Sequence, residues 1–332
     1  MSVKNLLGGM SVYKKNEEIG VSICCSVYNH EKYLRKCLDG FIQQQTNFKI
    51  EVLIHDDAST DHSRGIIEEY VGKYPNIFKP IYQSENQYSK GVKISWAFQY
   101  PRAKGKYIAL CEGDDYWCDE YKLQKQFEWM ENNPDCTLCV HEARKHNCYT
   151  GEDTLYTKCD VDREFLIEEI LEEGAIFATN SCFIRTLNQV QMPELFQAKG
   201  FGDHQIIIHN TLCGYCYYFA DVMSVYNWGT EESWTTRVFF DKKKRVAHCK
   251  EMIALMKRID KYTNYKYNLA IQKKICKTEF NMHLVHGDFI TIHRKKYKDL
   301  RKNSEGITWN PTKECIVNRF PWLLKLRRKN YE

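Results

Sequence analysis

Three short, almost uninterrupted apolar runs constrain this chain more than any other feature. Residues 21–27 (VSICCSV), 50–54 (IEVLI) and 107–111 (YIALC) lack the in-out alternation of a half-exposed strand. Such runs belong to strands buried on both faces. Between the first two, Tyr33, Leu34, Cys37, Leu38, Phe41 and Ile42 recur at helical spacing, with Asn29 placed to cap that helix. After the second, Ser59 and Asp61 offer caps for a helix through Ile66, Ile67 and Tyr70. Residues 78–82 read as a further strand, and residues 92–100 as a helix ended by Pro101. Short strands alternating with helices predict an α/β fold with a mostly parallel, Rossmann-like sheet.

The polar residues sit where such a sheet would use them. Ligands of open α/β sheets bind beyond the carboxyl ends of the strands. Here the first strand ends in Ser26, Val27, Tyr28 and Asn29, the second in Asp56 and Asp57, and the fourth in Glu112, Gly113, Asp114 and Asp115. Acids flanking a glycine after a buried strand suit a hard divalent cation such as Mg²⁺ or Mn²⁺, shared with substrate phosphates. The plainer alternative is an acidic turn leading into the next helix.

Composition narrows the class. A chain of 332 residues with 43% hydrophobic content can bury a sizeable core, and its 14% aromatics exclude a disordered chain. No apolar run approaches the roughly 18 residues of a transmembrane helix, and no signal-like stretch opens the chain, so a cytoplasmic protein is expected. The 15 cysteines are odd in number and scattered, which suits reduced thiols. Cys136 and Cys139 (with His141 close by) and Cys213 and Cys216 form two CxxC pairs, far apart in apolar stretches. Buried thiols are the expected reading, with a structural zinc as the alternative.

Taken in order, VSICCSVYNHEKYLRKCLDGFIQQ, IEVLIHDDASTD and GKYIALCEGDDYW resemble the inverting family-2 glycosyltransferases of bacterial surface-polysaccharide type. The similarity runs over roughly residues 19–235. It implies the GT-A fold, a nucleotide-diphosphate sugar donor, a divalent metal (Mn²⁺ or Mg²⁺) and inversion at the anomeric carbon. It further implies that Ser26 and Tyr28 contact the base and that Asp57 accepts the base imide N–H, which favours UDP or dTDP. Glu112 would face the ribose, and Asp114 and Asp115 the metal. Glu112 replaces the family's commoner Asp with a longer side chain.

For the acceptor side, Asp203 in GFGDH matches the family's catalytic aspartate at a helix start. Inversion asks for one base beside the acceptor hydroxyl. An N-cap role for Asp203 is the alternative, and His204 is a rival base. Trp228 stands where many relatives carry a His. Trp228 and Trp234 either pack or stack on a sugar ring. Residues 229–237 read as a polar lid. Residues 175–185 read as a strand whose Asn180 and Ser181 face sugar hydroxyls.

The net charge of +5 divides unevenly. Residues 241–332 hold 24 Lys+Arg against 9 Asp+Glu. The expected organisation is an N-terminal tail (1–18), a catalytic domain (19–240, with a nucleotide half to about 118 and an acceptor half from about 119) and a basic helical C-terminal region (241–332). There Met252, Leu255, Met256 and Ile259 form an apolar stripe for packing. Residues 320–329 mix apolar anchors with cations, which suits a peripheral contact with the anionic inner face of the cell membrane, or simply a solvated basic tail.

The expected function is therefore metal-dependent sugar transfer to a glycan or lipid-linked acceptor, in capsule, exopolysaccharide or lipopolysaccharide assembly. No nucleic-acid partner is expected, since no binding motif accompanies the charge. A catalytically silent glycan-binding or scaffold protein on the same fold is the alternative. A nucleotidyltransferase is disfavoured, because Tyr28, Asn29 and His30 follow the first strand in place of a Gly-rich phosphate loop.

Overall fold

The computed structural model describes residues 18–319, apart from 175, 198–201, 232, 234, 235, 237, 239, 240 and 303–310. The first half alternates as its sequence requires: β1 (Ile19–Val27), α1 (Glu31–Ile42), β2 (Lys49–Asp56), α2 (Ser63–Lys73), β3 (Ile81–Tyr82), β4 (Tyr107–Leu110), β5 (Tyr116–Trp117) and α3 (Lys122–Asn132). There follow β6 (Cys136–Asn147), β7 (Asp153–Leu155), β8 (Arg163–Phe165), α4 (Ile167–Glu173), β9 (Phe183–Arg185), α5 (Thr186–Val190), α6 (Gly202–Cys213) and β10 (Tyr215–Trp228). The carboxyl region is helical: α7 (Lys242–Tyr262), α8 (Asn268–His286), α9 (Phe289–Ile292), α10 (Lys298–Lys302) and α11 (Pro311–Arg319).

All ten strands join one sheet, in the order β3-β2-β1-β4-β9-β6-β10-β5, with β7 on β6 and β8 on β10. β1, β2, β3 and β4 are mutually parallel. Short β9 then runs antiparallel to both β4 and β6, beyond which β6 and β10 are parallel again. The sheet is thus mixed: β5 and β8 also run antiparallel to β10, and β7 to β6, while the amino-terminal strands β1 to β4 form the parallel part. Alternate β1 residues feed two cores. Ile23, Cys25 and Val27 pack with Leu34, Leu38, Phe41 and Ile67 of α1 and α2. Cys24 faces the other layer, where Leu110, Val140 and Ile207 meet Met252, Leu255, Met256 and Ile259 of α7. The α7 stripe is thus part of the main core, not a separate surface.

Several local expectations are corrected. Asn29 does not cap α1: it sits in the left-handed region at φ 57°, and His30 is the N-cap. Its side-chain oxygen instead accepts from the Thr60 N–H at 2.8 Å, tying the β1–α1 and β2–α2 loops together. Asp61 serves both helices, accepting from Glu31 N–H and Ser63 N–H, each at 2.9 Å. The third strand shortens to two residues, with Phe78 bridging Val52 alone. Residues Ser95–Gln99 form a π-helical turn rather than an α-helix, and Pro101 lies within the 3₁₀ turn that follows. The expected strand at 175–185 reduces to β9, preceded by a 3₁₀ turn at Thr179–Ser181.

Cys136, Cys139 and Cys216 are buried, Cys213 is exposed, and all four are free. Among the described residues they join no cluster able to hold a metal. No described helix is long and apolar enough to cross a membrane.

Candidate active site

The carboxyl ends of β1, β2 and β4 lie side by side, because Val27 pairs with Asp56 and Cys24 with Leu110 in parallel register. The loop after β4 is drawn under β1 by a 3.0 Å bond from Gly113 N–H to the Ser26 carbonyl. Close approach requires glycine here. A Cβ on Gly113 would lie 2.9 Å from both His30 Nδ1 and Val27 Cγ2, and 3.2 Å from Leu34 Cδ1.

This turn gathers Glu112, Asp114 and Asp115 so that one oxygen from each lies within 4.8 Å of the others. The three differ in how far the fold has already engaged them. Asp115 is fully buried, accepting from the Asn227 N–H at 2.8 Å and from Asn180 Nδ2 at 3.1 Å. Asp114 accepts from the Thr230 hydroxyl at 2.9 Å, and His30 Nε2 stands 4.0 Å from the same oxygen. Glu112 is the exposed member, and no side-chain hydrogen bond holds its carboxyl among the described residues.

Electrostatics sharpen the picture. Burial, then the Asp114 and Glu112 charges, push the Asp115 carboxyl well above the usual range. Crowding by the protein, then Asp114 and Asp203, push Glu112 up as well. Glu112 keeps solvent access despite that crowding, so for it the like charges are the sounder part of the cause. Three converging carboxylates that repel one another and offer only hard oxygen donors fit a divalent cation. Asp114 and Glu112 have oxygens to give it, and Asp115 keeps its second-lobe lone pairs.

Asp203 comes to this cluster from the far side of the sequence. It is the second residue of α6, and its Oδ1 accepts from the following His204 N–H at 2.8 Å. Burial raises its carboxyl, opposed by that N–H and by the Thr179 hydroxyl. Its charge is felt by Glu112, Tyr156 and Cys182. The fold therefore brings Asp203 and the acids after β4 together, 90 residues apart in the chain. His204 points elsewhere: it is 2% exposed, and burial followed by Lys274 and His248 pushes it down to about 3.

The other candidates fall as follows. Ser26 and Tyr28 are half-buried at the end of β1, with Ser26 Oγ 3.5 Å from Gln99 Oε1. Asp57 is nearly buried, and its two oxygens accept from the backbone N–H groups of Gln87 (2.8 Å) and Tyr88 (3.0 Å). Asn180 and Ser181 do not face an open site. Both are fully buried: Asn180 bonds Asp115, Val225 and Ser224, and Ser181 bonds the Ala178 carbonyl. Trp228 meets Tyr149 edge-on at 6.0 Å, with Lys145 Nζ 4.9 Å from its ring. Trp234, with residues 232, 235 and 237 of the expected lid, and residues 320–329 lie outside the described residues.

Sequence reasoning missed His30, Thr230, Asn227 and Thr179. His30 directly follows the β1 motif and was legible as a neighbour. Thr230 and Asn227 reach the acids across 116 and 112–113 residues, and no local signal announces them. A cleft of about 380 Å³ bordered by Glu51, Lys79, Arg102 and Lys104 begins at the amino end of β2, away from these acids.

Residues 22–185 match the family model described as Glycosyl transferase family 2. An uncharacterized protein of Mycobacterium tuberculosis is 39% identical over 165 residues, covering 50% of this chain and 46% of its own. The chain spans about half the length of the curated relatives it matches. S. aureus TarS 1–349 in complex with UDP-GlcNAc superposes with a TM-score of 0.54 at 15% identity, covering 94% of this chain and 92% of that one. The mannosyltransferase PcManGT from Pyrobaculum calidifontis, in complex with GDP-Man and Mn²⁺, gives 0.53 at 13% identity, covering 94% and 88%. At such identities these likenesses speak for the fold.

Proposed function

We infer, from the premise that this chain carries a glycosyltransferase family 2 domain over residues 22–185, that it is a metal-dependent inverting glycosyltransferase. The donor would be a nucleotide-diphosphate sugar, UDP or dTDP favoured, and the acceptor a hydroxyl of a glycan or lipid-linked sugar in surface-polysaccharide assembly. One observation carries the reading. Glu112, Asp114 and Asp115 converge within 4.8 Å at the carboxyl edge of β1, β2 and β4, and Asp203 at the start of α6 adds its charge to Glu112.

The roles follow from placement. Asp203 would accept the acceptor hydroxyl proton as that oxygen attacks the anomeric carbon, a step in which a positioned base contributes typically 10²–10⁴-fold. Its raised carboxyl makes it a stronger base than a free aspartate while the flanking N–H and hydroxyl hold its orientation. Asp114 would hold Mn²⁺ or Mg²⁺, as the resemblance implies. Glu112, expected at the ribose, would join it in place of the expected Asp115, whose two oxygens are taken by Asn227 and Asn180. The cation when bound would neutralise the leaving diphosphate as a Lewis acid. Thr230 holds the Asp114 carboxylate by its hydrogen bond, with His30 4.0 Å from the same oxygen. Ser26 and Tyr28 would line the base, and Asp57 would accept the imide N–H with lone pairs its two amide partners leave open. The molecules bound in the two structural neighbours, UDP-GlcNAc and GDP-Man, agree in class with a nucleotide-sugar donor and differ in the base.

Calorimetry with UDP, dTDP and GDP, with and without Mn²⁺, tests this. Metal-dependent binding of UDP or dTDP that Asp114→Ala abolishes is expected. Asp203→Asn should retain that binding while losing transfer; full activity in this variant would refute the base assignment. Binding of none of the three nucleotides would refute the donor reading and favour the silent glycan-binding alternative.

A further inference from the structure

We propose that the α9–α10 corner of the helical C-terminal region is a docking surface for an anionic lipid bilayer. It is distinct from the tail at residues 320–329, and it does not depend on the transferase reading.

The four-residue helix α9 is sorted in an unusual way. Ile292 is fully buried and joins Phe280, Leu284, Tyr297 and Cys315 in a small satellite core beneath the corner. That core secures the segment without help from its neighbours. Yet Ile290 is 78% exposed, and Phe289, its ring 4.2 Å from that of His293, is still 44% exposed. Gly287 turns the chain sharply just before them, at φ 73°, and Asp288 caps the helix by accepting from Thr291 N–H at 3.1 Å. Two adjacent large apolar side chains are therefore held out into water by a well-anchored turn. Single exposed apolar residues need no explanation, but a fixed pair beside a strong charge is a different case.

The charge lies immediately beyond. Residues 289–302 contain six Lys/Arg against one Asp, with Asp299 the acid. Lys296 is neutralised by Glu279, and Arg301 spends its guanidinium on the Ile292 and Arg294 carbonyls. Arg294, Lys295, Lys298 and Lys302 are exposed and have no ion-pair partner among the described residues. Four unpaired cations within the twelve residues that follow two exposed apolar side chains supply the two components of an interfacial anchor, apolar insertion and attraction to anionic headgroups. A nucleic acid would answer the cations but leave Ile290 unexplained, since an aliphatic side chain offers a base no stacking face.

The test uses the full chain and sedimentation with vesicles of phosphatidylcholine alone or mixed with phosphatidylglycerol. Co-sedimentation with the anionic vesicles alone, weakening as salt rises, is expected. Lys295→Gln and Lys298→Gln should each lower vesicle affinity about fivefold. Ile290→Ser, which leaves the charge unchanged, should lower it by about tenfold or more. These side chains are exposed, so thermal unfolding of each variant should match the parent. Equal binding to neutral and anionic vesicles would overturn the proposal, as would full affinity in Ile290→Ser, which would place the lipid contact elsewhere. Tight binding to a polyribonucleotide, insensitive to Ile290→Ser and abolishing vesicle binding, would also overturn it in favour of a nucleic-acid surface.

Discussion

Replacing Gly113 by alanine adds one methyl group at the centre of the candidate site. That carbon would lie 2.9 Å from His30 Nδ1, 2.9 Å from Val27 Cγ2 and 3.2 Å from Leu34 Cδ1. Val27 and Leu34 are essentially unexposed and belong to the core between β1 and α1, so neither can recede cheaply. His30 is the partner able to move. Its Nδ1 is buried without a hydrogen bond, and its Nε2 stands 4.0 Å from Asp114, so movement there disturbs the acid cluster. Overpacking of this kind costs about 1–3 kcal/mol. At about 2–4 °C per kcal/mol for a chain of this order of size, Tm should fall by roughly 2–12 °C.

The control is Gly72→Ala, in α2, where a Cβ meets nothing within 4 Å. That change should leave Tm unaltered or raise it, because alanine loses less backbone entropy on entering a helix, by up to about 1 kcal/mol. Thermal unfolding by circular dichroism and calorimetric Mn²⁺–UDP binding would be measured on both variants. Weakened binding and a lowered Tm in the Gly113 variant alone is the expected pattern. A Gly113→Ala protein indistinguishable from the parent in both measurements would refute the packing argument and, with it, the claim that this glycine sets the position of the acids.

Three further outcomes are expected. Thr230→Val removes the donor to the nearly buried Asp114 carboxylate at 2.9 Å and should weaken Mn²⁺ affinity roughly tenfold while costing about 1–3 kcal/mol of metal-free stability; calorimetric titration and thermal unfolding check it. His204 is held neutral, down to about 3 when folded against about 6.5 when unfolded, so the unfolded chain binds the extra proton and stability falls as pH drops below about 6.5. Between pH 7 and 4.5 this one group should cost about 2–3 kcal/mol in urea titrations, and His204→Gln should flatten that slope. Glu172→Gln, which loosens the exposed Lys273 and Lys277 pairs joining α4 to α8, should change stability by less than about 1 kcal/mol.

How far the sequence reveals this molecule depends on the range of each cause. Periodicity and apolar runs are local, so β1, α1, β2, α2 and β4 could be read within a few residues of their bounds. Residues 175–185 look continuous by composition, yet only Phe183–Arg185 pairs, because the seam between two parallel strand groups leaves room for a short antiparallel strand and no more. Asn180 looked like a sugar contact because a polar residue in an apolar run suggests exposure. It is instead the hub of a buried network joining Asp115, Ser224 and Val225, none of which is near it in sequence. The acids at the strand ends were legible since topology alone puts strand ends on one edge. Their separate duties were not, because those duties are decided by partners distant in sequence, Asn180 and Asn227 for Asp115 and Thr230 for Asp114.

Those duties divide the acidic cluster in a way that mutation can resolve. Asp115 is matched to two donors of the fold, the Asn227 N–H and Asn180 Nδ2, both buried. Asp115→Ala strands them, and an unpaired buried donor costs about 1–3 kcal/mol, so this variant should lose about 2–4 kcal/mol of stability with or without metal, Asn180 keeping its bond to Val225. Glu112 carries no such obligation among the described residues, and like charges already press on it. Glu112→Gln should therefore leave the metal-free protein as stable as the parent or slightly more so, while weakening the stabilisation that Mn²⁺ confers. Measuring Tm against Mn²⁺ concentration separates the two effects, since a ligand that binds only the folded state raises stability with the logarithm of its concentration over Kd. Equal loss of metal-free stability in both variants would contradict the division: it would mean that Glu112 is as much a structural tie as Asp115, and that the fold rather than a cation accounts for the convergence of these three acids.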